Sequence, residues 1–287
     1  MPILSEITPV ILTFNEAPNI ERTLRKLEWA REVILVDSFS TDNTENIVRR
    51  FPNAVFVQRR FDSHSQQWNF GLEQVRTDWV LSLDADYIVP DDLREEISQV
   101  PCDQDVAAYY ARFKYCIAGR PLRGNILPPR AILFRRSQCR YVQDGHTELL
   151  TTSEPTRFLK GYILHDDRKP LSRWLQSQRN YATLEAEHLL GNPGREWVLA
   201  DRLRLRIWPA LPAVFLYTLI VKRCLFDGWP GLFYALQRTY CEALLSLELL
   251  DRQLGAGTPP EAGSIATAKN PAVPTCRTEP VAISTRQ

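Results

Sequence analysis

Two aspartates one residue apart carry the clearest chemical signal in the sequence. Asp84 and Asp86 come directly after Trp79–Leu83, an apolar run that is typical of a buried strand. Side chains alternate along a strand, so Asp84 and Asp86 face the same side if strand geometry continues through Asp86. Two close carboxylates favour a hard cation, and Mg²⁺ or Mn²⁺ commonly combines such ligands with water and substrate phosphates. The pair is therefore a candidate metal site, and a polar loop after a core strand is the alternative interpretation.

Strand-like and helix-like segments alternate through the first third of the chain. Strands are predicted at residues 10–13, 33–36, 54–57 and 79–83, with helical segments between them. This alternation predicts a parallel sheet with right-handed crossovers. Such sheets bind ligands beyond the carboxyl ends of their strands, so polar residues at those ends are expected to converge. The residues at these positions are Asn15, Glu16, Asp37, Asp84 and Asp86.

Composition and motifs exclude several classes of protein. The 35 Lys and Arg residues balance 34 Asp and Glu residues, and no basic run contains interleaved aromatics, so we expect no nucleic-acid binding. No glycine precedes Gly71, which removes the glycine-rich turn of NAD- and FAD-binding domains, and a P-loop motif is absent. The six cysteines form no C-x-x-C pair, so we expect reduced thiols rather than a zinc site.

Three sequence segments carry a family resemblance. They are VILTFNEAPNI, EVILVDSFSTDNT and DWVLSLDADYIVPDDL, in this order along the chain. Their order and spacing resemble the nucleotide-sugar-binding half of family 2 inverting glycosyltransferases with the GT-A fold. The likeness covers residues 5–252 and is greatest to bacterial enzymes that add a sugar, often glucose, to lipopolysaccharide core or lipid-linked surface polysaccharide precursors. It implies a Rossmann-like α/β fold with a mixed sheet flanked by helices.

The resemblance also implies a site for a nucleotide sugar and a divalent metal. The nucleoside would be held by Thr13, Phe14, Asn15, Glu16 and Asp37, with Asp37 towards the base. Asp84 would lie near the ribose and the metal, and Asp86 would bind the Mg²⁺ or Mn²⁺ that bridges the diphosphate. His165, at the end of another predicted strand, resembles a late histidine that reaches the metal or diphosphate; a hydrogen-bonded core histidine is the alternative.

One departure from the family concerns the segment HSQQWNFG. Asn69 is expected at the nucleotide sugar, but relatives often carry Lys or Arg directly before this asparagine, where the chain has Trp68. A cationic contact to the diphosphate is then either missing or supplied from elsewhere, with Arg130 or Arg135 as the candidates.

The general base is expected in the stretch that begins at Tyr141. Asp144, His146 and Glu148 are concentrated there, where an apolar run stops. An inverting transfer needs a group that takes the acceptor hydroxyl proton as the new bond to C1 forms. Relatives often show Gly-x-x-His-Glu here, and aligning the histidines leaves Thr147 in place of the glutamate. The base is therefore Asp144 or Glu148, and the alignment favours Asp144.

The rest of the chain predicts an acceptor-binding half and a helical extension. Strands at 106–116 and 131–136 with a turn at 119–124 indicate an antiparallel extension of the sheet. The predicted domains are 1–200 (a GT-A catalytic domain with donor half 1–100 and acceptor half 101–200), C-terminal amphipathic helices at 201–254, and a disordered tail at 255–287.

The apolar run Ile207–Val221 predicts contact with a membrane surface. It is shorter than the roughly 20 residues that a spanning helix needs, and basic residues precede and follow it. The N-terminal residues lack the pattern of a signal peptide. We therefore expect a cytoplasmic protein that is peripheral on the inner face of the cytoplasmic membrane.

These observations predict a metal-dependent inverting glycosyltransferase. The donor would be a nucleotide diphosphate sugar, with UDP as the expected nucleotide, and the acceptor a lipid-linked or lipopolysaccharide glycan. The alternative is a relative that binds a nucleotide sugar or glycan with the same fold and has no catalytic activity. Intact Asp84 and Asp86 favour the enzyme.

Overall fold

The structure is a computed structural model that describes residues 3–101, 105–144, 147–191 and 199–255. The predicted tail at 255–287 lies outside the described residues except for residue 255. The described chain forms two compact units. The first contains the residues up to Leu122 together with Pro129–Ser177, and the second contains Arg123–Pro128 and the residues from Gln178 onward.

Eleven strands and eight α-helices are present in these described ranges. The strands are β1 (Ile7–Thr13), β2 (Val33–Asp37), β3 (Ala54–Gln58), β4 (Trp79–Asp84), β5 (Tyr87–Ile88), β6 (Ala108–Ile117), β7 (Arg120–Pro121), β8 (Arg130–Arg135), β9 (Arg140–Asp144), β10 (Thr147–Thr151) and β11 (Thr156–His165). The α-helices are α1 (Ile20–Arg25), α2 (Thr44–Val48), α3 (His64–Gln74), α4 (Asp91–Ser98), α5 (Leu171–Gly191), α6 (Leu199–Leu205), α7 (Ala210–Leu216) and α8 (Trp229–Gln253). A π-helical turn (Tyr217–Val221) and a 3-10 turn (Cys224–Asp227) lie between α7 and α8.

The first unit is built on a mixed sheet with the strand order β3-β2-β1-β4-β8-β6-β11-β5. Strands β1 to β4 pair in parallel, and β8 pairs antiparallel with both β4 and β6. All seven residues of β1 are buried, as expected for a central strand covered on both faces. The predicted parallel sheet with an antiparallel extension is confirmed, and the fold is GT-A-like.

The path of the chain at the aspartate pair differs from the prediction. Strand β4 ends at Asp84, and Ala85 and Asp86 form a turn, so the expectation that strand geometry continues through Asp86 is wrong. Thr23 Oγ1 donates a 2.6 Å hydrogen bond to the Ala85 carbonyl. The Asp166 N–H donates a 3.0 Å bond to the Asp86 carbonyl. A turn held from two sides, rather than strand alternation, therefore directs the two carboxylates.

The second unit is helical and contains a buried ion-pair cluster. The Arg204 guanidinium donates to Glu242, with a shortest distance of 2.8 Å, and lies 3.4 Å from Glu185. Losing one partner of such a cluster leaves the other charge buried and uncompensated, which is strongly destabilising. In the described ranges, no helix combines the length and the apolar character needed to cross a membrane.

Helix α3 packs closely on the sheet through Gly71. A Cβ atom at this position would lie 2.7 Å from Val10 Cγ1 and 3.2 Å from Val36 Cγ2. Both valines are fully buried and stiff about χ1, so neither side chain can move away cheaply. The glycine thus allows the helix to approach β1 and β2 as closely as it does.

We predict that Gly71→Ala lowers the free energy of unfolding by about 1 kcal/mol or more. Overpacking a core typically costs about 1–3 kcal/mol, which outweighs the helix propensity that alanine gains over glycine. Chemical denaturation measures the change, with Glu73→Ala on the exposed face of α3 as the control. In a Val10→Ala background the loss should shrink, because Cγ1 is gone. An equal loss in both backgrounds would rule out this contact as the cause.

Candidate active site

A small cavity lies at the carboxyl edge of β1 and β4 in the first unit. Its wall consists of Leu12, Glu16, His64, Trp68, Asp84, Ala85, Asp86 and Glu148. Four of these residues are carboxylates that the sequence singled out, so the expected convergence of Glu16, Asp84 and Asp86 occurs, and Glu148 joins them. His64 and Trp68, both on α3, were not predicted in the wall.

Arg130 bridges two of the cavity carboxylates. Its Nη2 donates a 2.9 Å hydrogen bond to Glu148 Oε1, and its Nη1 lies 3.7 Å from Asp84 Oδ2. Burial raises the pKa of Asp84 to about 6, with Arg130 opposing the shift and the Asp86 charge adding to it. Arg130 therefore fixes the Glu148 side chain and partly compensates Asp84.

Asp86 faces His165 at the end of β11. His165 Nε2 lies 3.3 Å from Asp86 Oδ2, within ion-pair distance but without the angle of a regular hydrogen bond. Burial alone would raise the pKa of Asp86, yet the charge of the adjacent His165 lowers it to about 2. Burial alone would lower the pKa of His165, and the Asp86 charge raises it. The imidazole at the end of β11 thus lies where it can orient the Asp86 carboxylate.

Glu16 has a cationic partner that the sequence did not indicate. Lys169 Nζ lies 2.7 Å from Glu16 Oε1 and 3.7 Å from Asp167 Oδ1. Burial raises the pKa of Glu16 to about 7, although Lys169 opposes the shift. Lys169 lies four residues after His165, the last residue of β11. This closeness in the sequence was the one feature that could have pointed to Lys169 as a site residue.

The residues present fit a divalent cation. Among the described residues, no three or more His, Cys, Asp or Glu side chains are grouped so as to hold a metal alone. However, Asp84 Oδ2 and Asp86 Oδ1 are buried and have no hydrogen-bond partner within the described part of the chain. Mg²⁺ and Mn²⁺ sites often use one or two carboxylates and complete their shell with water and substrate phosphates. Two orphaned carboxylate oxygens on one cavity wall suit that kind of site.

Asp37 lies at the end of β2, and its carboxylate finds its hydrogen-bond donors within the chain. Its Oδ1 accepts hydrogen bonds from Thr13 Oγ1 at 2.9 Å and Ser40 Oγ at 2.5 Å. Its Oδ2 accepts from the Ser40 N–H at 2.8 Å and Gln58 Nε2 at 3.4 Å. All four lone-pair positions of this carboxylate are therefore used, and a nucleoside contact would require one of these donors to move.

Phe14 and Asn15 form a turn that is held in place by a residue far away in the sequence. Asn15 has a positive φ of 56°, and its Oδ1 accepts from the Thr41 N–H at 2.7 Å. Arg173, in the first turn of α5, donates to the carbonyls of Asn15 at 2.5 Å and Phe14 at 2.8 Å. Positive φ in a residue other than glycine costs free energy and persists where surrounding contacts enforce it. Arg173 is a second residue that the sequence did not indicate.

Asn69 contacts the hairpin of β9 and β10 rather than the cavity. Its Nδ2 donates to the Tyr141 carbonyl at 2.9 Å, and the Tyr141 N–H donates to Asn69 Oδ1 at 3.1 Å. The neighbouring Trp68 ring stacks on Tyr141 with centroids 5.3 Å apart. The structure therefore places Asn69 as a link between α3 and the hairpin that carries Glu148.

The other base candidates are only partly described. The Asp144 backbone ends β9 and pairs with Thr147, but its side chain lies outside the described atoms, and His146 lies outside the described residues. Glu148 is the candidate whose side chain reaches the cavity wall among the atoms that are described.

Arg135 cannot supply the missing cation. It pairs with Asp78, and its guanidinium lies 4.5 Å from the centroid of the Trp79 ring. Trp79 begins β4, whereas the cavity lies at the carboxyl end of that strand. The expectation for Arg135 is wrong because Arg130 and Arg135 occupy opposite ends of β8.

Comparisons with known proteins identify relatives of this chain. LpsC of Rhizobium meliloti, a lipopolysaccharide core biosynthesis glycosyltransferase, is 26% identical over 190 residues, covering 63% of this chain and 70% of LpsC. An uncharacterised glycosyltransferase of Rickettsia typhi is 30% identical over 243 residues, covering 79% of this chain and 81% of the relative. A more distant likeness is to the structure of the mannosyltransferase PcManGT from Pyrobaculum calidifontis in complex with GDP-Man and Mn²⁺ (18% identity, TM-score 0.49, covering 87% and 86% of the two chains).

The family assignment rests on the sequence from β1 to β11. Residues 8–162 match the model of glycosyl transferase family 2, which is more than half of the 287 residues. The matched region includes all four cavity carboxylates. The chain is therefore a glycosyltransferase and belongs to glycosyl transferase family 2.

Proposed function

We propose that this glycosyltransferase transfers a sugar, with inversion, from a nucleotide diphosphate sugar to a lipid-linked or lipopolysaccharide glycan, and that it requires Mg²⁺ or Mn²⁺. UDP is the expected nucleotide. One observation carries the proposal: Asp84 and Asp86 each present a buried oxygen without a hydrogen-bond partner in the described chain, and both residues line the cavity that Glu148 also lines.

Asp84 and Asp86 would hold the cation. When bound, the cation would supply Lewis-acid stabilisation of the charge that develops on the departing diphosphate. His165 keeps Asp86 ionised and oriented from behind. Arg130 is the cation next to Asp84, which supports it as the replacement for the basic residue absent at Trp68.

Glu148 is the proposed general base. Arg130 holds its Oε1, which leaves Oε2 to take the proton of the acceptor hydroxyl. The hydroxyl oxygen bonds to C1 of the donor sugar as the bond from C1 to the diphosphate oxygen breaks. The acceptor enters opposite the leaving group, so the configuration at C1 inverts. Asp144 is the alternative base.

The similarity to LpsC supports the acceptor. LpsC is named as a lipopolysaccharide core biosynthesis enzyme, and 63% of this chain aligns with it. An acceptor of this type is a glycan attached to a membrane lipid, so the proposal extends to a cytoplasmic enzyme that works at the membrane surface.

The metal proposal predicts that turnover depends on Asp86. Asp86→Ala and the isosteric Asp86→Asn should lower transfer by about two to three decades or more, because they remove an electrostatic contribution to the transition state. A panel of UDP- and GDP-sugars with Mn²⁺, Mg²⁺ or excess chelator measures release of the nucleoside diphosphate. Asp91→Ala, an exposed carboxylate at the start of α4, is the control. Full turnover in chelator would reject the metal, and nucleotide binding without turnover on any donor would favour the non-catalytic alternative.

The base proposal predicts a specific kinetic split. Glu148→Gln should lower kcat by roughly two to four decades, the usual contribution of general-base catalysis, with nucleotide affinity nearly unchanged. Glutamine preserves an oxygen for Arg130, which limits structural effects. Asp144→Asn is the matched comparison. A normal kcat for Glu148→Gln together with a low kcat for Asp144→Asn would identify Asp144 as the general base.

The second unit presents an exposed apolar segment, here called the apolar tip. It consists of Ile220, Val221, Leu225, Phe226 and Trp229, and the last two side chains are 68% and 82% exposed. Aromatic and aliphatic side chains exposed together are typical of a membrane interface. This observation supports membrane contact more strongly than the length of the apolar run does.

The chain packs closely beside the apolar tip, and basic residues adjoin it. Cys224 Sγ lies 3.3 Å from the Gly124 carbonyl, and a Cβ atom at Gly231 would lie 1.8 Å from the Cys224 carbonyl oxygen. Lys222 and Arg223 adjoin the exposed side chains. Such charges attract anionic lipid headgroups, and each basic residue near the membrane surface contributes about 1 kcal/mol to the binding free energy.

We predict that Phe226→Ser/Trp229→Ser weakens vesicle binding by about tenfold or more, since fully burying one such side chain contributes about 1.5–3 kcal/mol. Co-sedimentation of the full chain with phosphatidylcholine vesicles that contain phosphatidylglycerol measures the effect, and high salt should release part of the protein. Leu247→Ser, an exposed position farther along α8, is the control. A wild-type protein that stays in the supernatant at low salt would refute membrane contact.

A further inference from the structure

One face of the sheet in the first unit is open to solvent and combines aromatic with basic side chains. It is formed by Tyr110, Arg112 and Lys114 of β6 with Phe158 and Tyr162 of β11, and we call it the aromatic–basic face. Phe158 is 44% exposed and Tyr162 is 38% exposed, and both basic side chains are exposed. Aromatic side chains of this size are usually buried in strands, so their exposure on neighbouring strands is unusual.

The side chains of the aromatic–basic face are ordered by contacts with one another. The rings of Tyr110 and Phe158 lie 5.5 Å apart, and the Arg112 guanidinium lies 5.3 Å from the Phe158 ring centroid. Lys114 Nζ lies 4.8 Å from the Tyr162 ring centroid. The register pairs Tyr110 with Phe158 and Arg112 with Tyr162, so the aromatic and basic side chains of the two strands lie next to one another.

The positive charge on this face is not neutralised by ion pairs among the residues that the structure describes. Within the described ranges, neither Arg112 nor Lys114 forms an ion pair with a carboxylate. Cation–π contacts hold both groups in place and leave their N–H donors available to an anion. The face therefore offers two preordered cations beside apolar rings.

The aromatic–basic face leads towards the edge of the sheet that carries the cavity. Strands β6 and β11 are parallel and end at this edge; Lys114 points to the open face, whereas the next residue, Tyr115, pairs with His165 and both are buried on the opposite face. His165 in turn faces Asp86 in the cavity wall. A ligand lying along the face would therefore reach the same carboxyl edge, where the donor is proposed to bind, from the opposite side of β6 and β11.

We propose that the aromatic–basic face binds an anionic glycan, and that this glycan is the extended part of the acceptor, a step that rests on the proposed function. Sugar rings present apolar C–H surfaces that can pack on Phe158 and Tyr162. Phosphate or carboxylate groups on the glycan accept charge-assisted hydrogen bonds from Arg112 and Lys114. Two cations are too few to follow a nucleic-acid backbone, and a flat sheet face lacks the protruding apolar groups that enter a bilayer.

Equilibrium binding to the full-length protein without donor tests the proposal. The probes are maltoheptaose carrying phosphate monoesters, unmodified maltoheptaose, inorganic phosphate and an oligouridylate of similar length. We expect the phosphorylated oligosaccharide to bind best, with an affinity that falls as salt is added. Arg112→Ala/Lys114→Ala should weaken its binding by about tenfold or more, and Phe158→Leu/Tyr162→Leu by at least about threefold, since leucine retains apolar bulk without the flat ring.

The control variant Arg31→Ala/Arg76→Ala removes the same number of positive charges from exposed positions at the amino ends of β2 and β4. It should bind the phosphorylated oligosaccharide like the wild type, and thermal unfolding should show that every variant is folded. Equal affinity in the wild type and the Arg112→Ala/Lys114→Ala variant would overturn the proposal. So would equal binding of the unmodified oligosaccharide, or binding of inorganic phosphate or oligouridylate in its place. The proposed catalytic function fails by a separate measurement, absence of turnover, so each idea can fail alone.

Discussion

Four carboxylates line one small cavity, and their burial is the constraint that the surrounding side chains must compensate. A buried charge without a partner costs several kcal/mol, so each carboxylate has a positive or polar group behind it. The partners are Arg130 for Asp84 and Glu148, His165 for Asp86, and Lys169 for Glu16. These partners come from β8, from the end of β11 and from the segment after β11, so the order of the strands is tied to the charge of the site. Asp84 Oδ2 and Asp86 Oδ1 nevertheless keep no hydrogen-bond partner among the described residues, although Arg130 lies 3.7 Å from Asp84 Oδ2.

The segment that follows β11 contacts the turn after β1 and the first residues of α1. Asp166 pairs with Arg22, and Asp167 accepts a 2.9 Å hydrogen bond from Asn19 Nδ2. Arg173 clamps the carbonyls of the strained turn at Asn15, across a separation of 158 residues. Residues at the far end of the catalytic unit therefore help to hold this turn, in which Asn15 has a positive φ.

The fold was largely predictable and the pairing of charges was not. Alternating apolar runs indicated β1 to β4 and the parallel sheet, because hydrophobic periodicity is a local property. Which side chains meet is not local: Arg130 and Arg135 are equivalent in type and share one strand, yet one contacts Asp84 and the other pairs with Asp78. Only the antiparallel register of β8 with β4 decides between them. The pairing of Lys169 with Glu16 could not be predicted for the same reason, since the two residues lie 153 positions apart.

Two aspartates at strand ends show why residue type alone does not identify a ligand-binding group. Asp37 and Asp86 follow similar apolar strands, and both are buried. Asp37 accepts four hydrogen bonds from its own chain, so its carboxylate joins the first two turns into one rigid edge. Asp86 retains a buried oxygen without a partner among the described residues. A buried acceptor left unsatisfied costs free energy, and such a cost is tolerated where a ligand supplies the missing contact. The hydrogen bonds thus show that the Asp37 carboxylate is used within the chain, whereas Asp86 keeps an acceptor that a ligand could use.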